Sequence, residues 1–186
     1  LKEMLPAIKL DWELLRQLSY AVIRLNYKKI IPDLLVIAQN NEVTSYYGIK
    51  ALLQTFVHFQ VSEALPLILA WAKDARLAPL AIDSILSLVN ILPVTNYIYF
   101  PHPKIRAMLC YVLAKMDDNQ NQEPLMQLLN DKHPEVRIAA VWAVEELGDT
   151  FFARQLMNLV QTESDPLIKN AIRHCINTLA QKRISQ

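Results

Sequence analysis

The sequence predicts an all-α solenoid, a stack of about six antiparallel helix pairs that runs through residues 1–186 as a single repeat domain. Three observations predict it. The chain holds only two glycines, and tight β-hairpins need residues that tolerate positive φ, so a hairpin-built sheet lacks its turns. Its prolines recur at the starts of apolar runs, where a helix accepts them. An apolar pattern of helical period also returns about every 31 residues, the spacing of stacked supersecondary units.

Composition narrows the function classes. Just over half of the 186 residues (53%) are apolar, enough to offset the entropy of ordering a chain of this size. The formal charge is +1 with no long run of one sign. A basic stripe that would release counterions from phosphates is missing, and a nucleic-acid partner is not expected. Cys110 and Cys175 are too few for a disulfide framework. No apolar stretch reaches the roughly 18 residues of a membrane span. The chain opens on Leu1 and reads as a piece of a longer protein, with a cytoplasmic location favoured.

The repeat is clearest after residue 100. Pro103, Pro134 and Pro166 each open a segment, 31 and 32 residues apart. Counting from each proline, offsets 2, 5, 6, 9, 10 and 13 hold only apolar residues, from Ile105 to Met116, Val136 to Leu147 and Ile168 to Leu179. Those offsets trace one face of a 3.6-residue helix. Proline suits the first turn, where its missing N–H has no acceptor to lose. Asp165 stands ahead of the third helix as an N-cap, and Gly148 follows the second as a stop.

With that rule the elements follow in chain order. A first helix is expected over Leu5–Tyr27, its face set by Leu14, Leu18, Ala21, Val22 and Leu25 counted from Trp12. Its partner begins at Ile31-Pro32. The second pair carries Tyr47, Gly48, Ala51, Leu52 and Thr55 counted from Glu42, then Leu65-Pro66. The third first-helix runs from Leu77 to Leu88, counted from Ala75. Pro124–Leu129 and Leu156–Val160 mark the later second helices. Repeats therefore start near 12, 42, 75, 103, 134 and 166.

The segment Leu92–His102 breaks the plan. Two prolines bracket it and Tyr97, Tyr99 and Phe100 fill it, so a regular helix is not expected there.

The stretch Pro134-Glu135-Val136-Arg137-Ile138-Ala139-Ala140 through Leu147-Gly148-Asp149 resembles the signature of short HEAT repeats, the phycobilisome-lyase-type kind. The flanking repeats match it in part, the first three by periodicity more than by motif. The resemblance implies a right-handed α-α superhelix of armadillo-like form. It also implies a protein-binding scaffold, not an enzyme, with no cofactor. In such repeats the basic residue three after the proline, here Arg106, Arg137 and Lys169, is structural. It is expected to pair with an acid in a turn between repeats, such as Asp131 or Asp165; a phosphate-binding ladder is the alternative.

Several residues are candidates for contact with a protein or peptide partner. Irregular segments in regular stacks are where function is grafted, which singles out Tyr97, Tyr99, Phe100 and His102. Those aromatics could instead fold back over the groove left by the missing helix. Second helices line the concave face of such arrays, which adds Gln127, Arg154 and Asn158. Tyr111, Trp142 and His174 form a column eight residues after each proline, expected to seal adjacent helices, though such a row could stack a flat ligand. The cysteines do not read as reactive, and the four histidines show no metal-ligand spacing. No Gly-rich phosphate loop or nucleophile elbow is present. A bilin-lyase-like subunit is the alternative function that the repeat subtype implies, and a HEAT-like DNA-binding protein is the third. The apolar first helix is expected to be covered from upstream, whereas the polar Gln181–Gln186 reads as a true end.

Overall fold

The computed structural model describes residues 11–40, 43–88, 94–116 and 121–184, and every regular element among them is helical. Ten α-helices follow in order: α1 Trp12–Arg24, α2 Ile31–Gln39, α3 Tyr46–His58, α4 Leu65–Trp71, α5 Ala78–Leu88, α6 Pro103–Lys115, α7 Gln122–Leu128, α8 Pro134–Leu147, α9 Ala153–Thr162 and α10 Pro166–Ile184. Single 3-10 turns, Lys28–Ile30, Ser62–Ala64 and Thr150–Phe152, lead into α2, α4 and α9. The chain divides into two compact units, Leu1–Leu92 and Pro93–Gln186.

In the N-terminal unit, α3 packs between α1 and α5, with α2 against α3 and α4 against α5. Asp11 opens α1 by accepting the Glu13 N–H at 2.8 Å, which satisfies one of the helix's orphan donors. Leu15, Leu18, Ser19 and Val22 then share the buried face, as the i, i+3, i+4, i+7 rule requires. Leu18 and Val22 are buried as expected, but Leu14 and Ala21 are only half-buried. Leu15 is buried, whereas Leu25 is 72% exposed. Tyr47, expected on the buried face of α3, is also exposed. Leu52, Phe56, Ile68, Leu69 and Ile85 form the dry centre. Residues before Asp11, and the notional start Glu42, lie outside the described residues.

The turns after α1, α3 and α8 share a left-handed residue. Asn26 (φ 50°) follows α1 and Gln60 (φ 54°) follows α3. The Tyr27 and Val61 N–H groups reach back five residues to the Val22 and Phe56 carbonyls, both at 2.9 Å. That pattern closes the last turn of a helix and favours glycine at the left-handed residue. Only α8 has it, in Gly148 at φ 67°. The other two repeats make the same turn with side chains that disfavour it.

In the C-terminal unit, α8 lies between α6 and α10, with α7 and α9 packed against this layer. None of the eighteen predicted apolar positions is exposed, and Ile105, Leu109, Val112, Val136, Ala140 and Ile172 are fully buried. Asp165 caps α10 by accepting from Leu167 N at 2.8 Å.

Arginines tie this unit's repeats together. Arg106 donates from Nε and Nη2 to the Asp131 carboxylate at 2.6 and 2.9 Å, and from Nη1 to the Phe100 and Pro101 carbonyls. Arg137 repeats the pattern one unit on. It forks onto Glu163 at 2.7 and 2.9 Å and holds the Asp131 and Lys132 carbonyls. Each carboxylate also accepts a turn N–H, His133 on Asp131 and Asp165 on Glu163, both at 2.9 Å. The structural role of the arginines is thus met, but Glu163, not Asp165, is the second acid, because Asp165 is spent on capping α10. Lys169, third in the column, makes no ion pair among the described residues; an ammonium lacks the planar fork.

Both acids are held ionised. Arg137's hydrogen bond keeps the Glu163 carboxyl below its ordinary 4.5, against the opposing effect of burial. Burial pushes the Asp131 carboxyl up, and hydrogen bonds from Arg106 and the His133 N–H, with their charges, more than offset it.

Candidate functional site

The segment ahead of α6 is one 3-10 turn, Val94–Tyr97, and a bend into Pro103, in line with the irregularity that its prolines predict. Ile98 is buried in the core of the C-terminal unit and anchors the segment from below. Arg106, through the Phe100 and Pro101 carbonyls, fixes its far end. Between these anchors Tyr97 and Phe100 are half-buried, whereas Tyr99 is 72% exposed. The aromatics thus divide: two are half-buried and one faces solvent.

The Tyr99 hydroxyl donates to Gln127 Oε1 on α7, and Gln127 Nε2 donates to Glu123 Oε1 at 3.0 Å. Two residues that the sequence places in different regions are therefore in direct contact. Gln127 and Asn158 each stand 24 residues after their repeat's proline, and Glu123 and Arg154 each stand 20 after. All four are exposed. Arg154 and Asn158 thus occupy on α9 the positions that Glu123 and Gln127 occupy on α7, although no hydrogen bond joins the two pairs among the described residues. His102 is half-buried with an inaccessible, unpartnered Nδ1, and it is not bonded to the other candidates.

The column eight residues after each proline is a correction. Tyr111 (49%), Trp142 (58%) and His174 are exposed and seal nothing. Offset eight falls just outside the buried stripe, and the residues beside it, Ala107, Ala114, Ala139 and Ala143, are too small to fill the gap between α6 and α8. A groove of about 320 Å³ results, walled by Tyr111 and Trp142. At one end Lys115 bonds Glu146 at 2.7 Å and lies 5.6 Å from the Tyr111 ring centroid, within cation–π range.

Equivalent grooves separate the first helices of the N-terminal unit, with different chemistry. The α3–α5 groove is about 190 Å³ and carries Asp83, Ser84 and Ser87. The α1–α3 cleft is about 290 Å³ and carries Arg16, Ser19, Tyr20, Tyr47, Lys50 and Gln54. The offset-eight column of the last three repeats also runs through the first three. Continued backwards to Tyr20, Lys50 and Asp83, the same column locates all three grooves. Cys110 and Cys175 are fully buried, and burial pushes each thiol up to about 12; neither is a nucleophile at neutral pH.

Helix pairs stacked through an apolar face, with arginines forked across the junctions, define an α-solenoid repeat protein. Residues 93–177 match the sequence family of HEAT repeats, which supports a HEAT-repeat protein. HEAT repeats generally mediate protein–protein interaction and are typically scaffolds without catalysis. No curated protein matches the chain. No helix among the described residues is long and apolar enough to cross a membrane.

Proposed function

We propose that this chain is an interaction scaffold whose binding face is carried by α7, α9 and Tyr99. The Tyr99–Gln127 contact carries the reading. It fixes an exposed aromatic ring at the edge of a second-helix face that otherwise presents polar side chains. Exposed aromatic anchors beside adaptable polar groups are the usual makings of a hot spot. Arg154 and Asn158 extend the face by one repeat, and Met157, 54% exposed, adds apolar area between them. An extended peptide or one face of a partner helix spans two such repeats, about 20 Å if adjacent second helices lie roughly 10 Å apart.

The experiment is site-specific photo-crosslinking in lysate of the source cell, with the reactive residue at Tyr99, at Asn158 or, as control, at Tyr20. The expected result is the same protein captured from positions 99 and 158 but not 20. With that protein purified, Tyr99→Ala combined with Asn158→Ala should weaken binding about ten-fold or more. Capture at position 20 alone, or recovery of nucleic acid or a coloured ligand in place of a protein, would overturn the reading.

A further inference from the structure

Among the described residues lining the grooves between first helices, Ser19 of the α1–α3 cleft is the one unsatisfied donor. Ser19 is 97% buried (3% exposed), lines the cleft, and its hydroxyl has no hydrogen-bond partner. That is unusual within this molecule. Thr55, Ser84 and Ser87, also inside helices, each donate to the carbonyl four residues back at 2.7–2.9 Å, the ordinary resort of a helical hydroxyl. A buried donor left unpaired is costly unless something else accepts from it.

The charges around the cleft indicate what accepts. Lys50 lines it and forms no ion pair among the described residues. Arg16 also lines it, but its guanidinium is forked onto Glu13. Asp83 sits one groove along, with Lys50 at the boundary between the two. Among the lining residues one positive charge is therefore uncommitted, and beyond the lining Arg24 donates to the Tyr20 hydroxyl at 3.5 Å; a single lining cation suits a monoanion better than a phosphate dianion. The rims are aromatic: Tyr20 is 65% and Tyr47 57% exposed, and Tyr47 is braced by the Trp12 ring at 5.2 Å. At about 290 Å³ the cleft lies at the small end of ligand sites.

We propose that the α1–α3 cleft binds a small aromatic monocarboxylate. Its carboxylate accepts from the Ser19 hydroxyl and is neutralised by Lys50, and its ring lies against Tyr20 and Tyr47. Gln54 supplies an amide at the same rim.

The test is titration of the full chain with indole-3-acetate, followed by residue-resolved NMR shifts. The proposal expects saturable shifts in α1 and α3 with a Kd of about 1 mM or tighter, the range open to a ligand of this size. Ser19→Ala should weaken binding about ten-fold without lowering Tm, since alanine removes an unsatisfied hydroxyl. Lys50→Gln should weaken it similarly, and Lys50→Arg should restore it. Uncharged indole binding equally well would overturn the proposal. So would inorganic phosphate displacing the ligand at equal concentration, wild-type affinity in Ser19→Ala, or shifts confined to α6 and α8.

Discussion

In the C-terminal unit each described junction between repeats carries an arginine forked onto an acid of the following turn, the buried Arg106 on Asp131 and the half-buried Arg137 on Glu163. In the N-terminal unit the described ion pairs are local and exposed: Arg16–Glu13 within α1, and Arg76–Asp74 just ahead of α5. Its repeats meet through Leu15, Leu52, Phe56, Ile68 and Ile85. One helix-pair plan is thus held in two ways, by an ion ladder plus core or by core alone. The difference also bears on what a sequence reveals. The HEAT-repeat match covers 93–177, a range that contains both forks, whereas the first unit keeps only the apolar period and the left-handed turn.

The largest expected effects break the comparison directly. Arg137→Ala strands the Glu163 carboxylate, whose residue is 7% exposed, and should destabilise the C-terminal unit by about 3–5 kcal/mol. Arg76→Ala should leave the denaturation midpoint where it is, because an exposed pair is screened. Phe56→Ala, by contrast, should cost the N-terminal unit about 3–5 kcal/mol through lost burial and a cavity. Urea unfolding of each variant, followed by probes in each unit, checks all three. The double variant Arg137→Leu with Glu163→Leu sharpens the point, since removing both charges should cost less than Arg137→Ala alone.

Acid should separate the units next. Glu163 and Asp131 titrate below their ordinary values of 4.5 and 3.8 in the folded chain. A depressed carboxylate pKa contributes stability that is present above the ordinary value and is lost as pH falls through the folded one. The C-terminal unit should therefore loosen as pH drops below about 4.5. Asp74 is held at about 2 by its hydrogen bonds with Arg76, but it is exposed and its linkage is screened. A pH series of near-ultraviolet circular dichroism, with Trp142 in one unit and Trp12 and Trp71 in the other, measures the contrast.

The smallest effects concern the turns. Gln60→Gly should stabilise by up to about 1 kcal/mol, because a non-glycine residue at positive φ is strained. Asn26→Gly should gain less, asparagine being the more tolerant there. Gly148→Ala should destabilise by about 1–2 kcal/mol, since φ is 67° and the added Cβ would meet the Lys182 side chain. Thermal melts rank the three.

The fold was legible because its strongest signals are local. Proline at a helix start, an apolar stripe and one near-consensus repeat need no partner to be recognised. In α1 Leu15 is buried where Leu14 is expected; both are leucine, and only packing against α3 chooses between them. The exposure of Tyr111 and Trp142 was not legible. It depends on alanines from two helices that meet in space, and a column read along one helix does not show a groove between two. The unpaired Ser19 was hidden likewise, because a hydroxyl that fails to bond its own helix leaves no mark in sequence.

The arginine ladder holds the C-terminal unit while the N-terminal unit stands on its core. Native-state hydrogen exchange on the intact chain carrying Arg137→Ala tests it most directly. Protection should be lost in α8, α9 and α10 and stay unchanged in α1, α3 and α5. Unchanged protection throughout, or an equal loss in α1–α5, would contradict it.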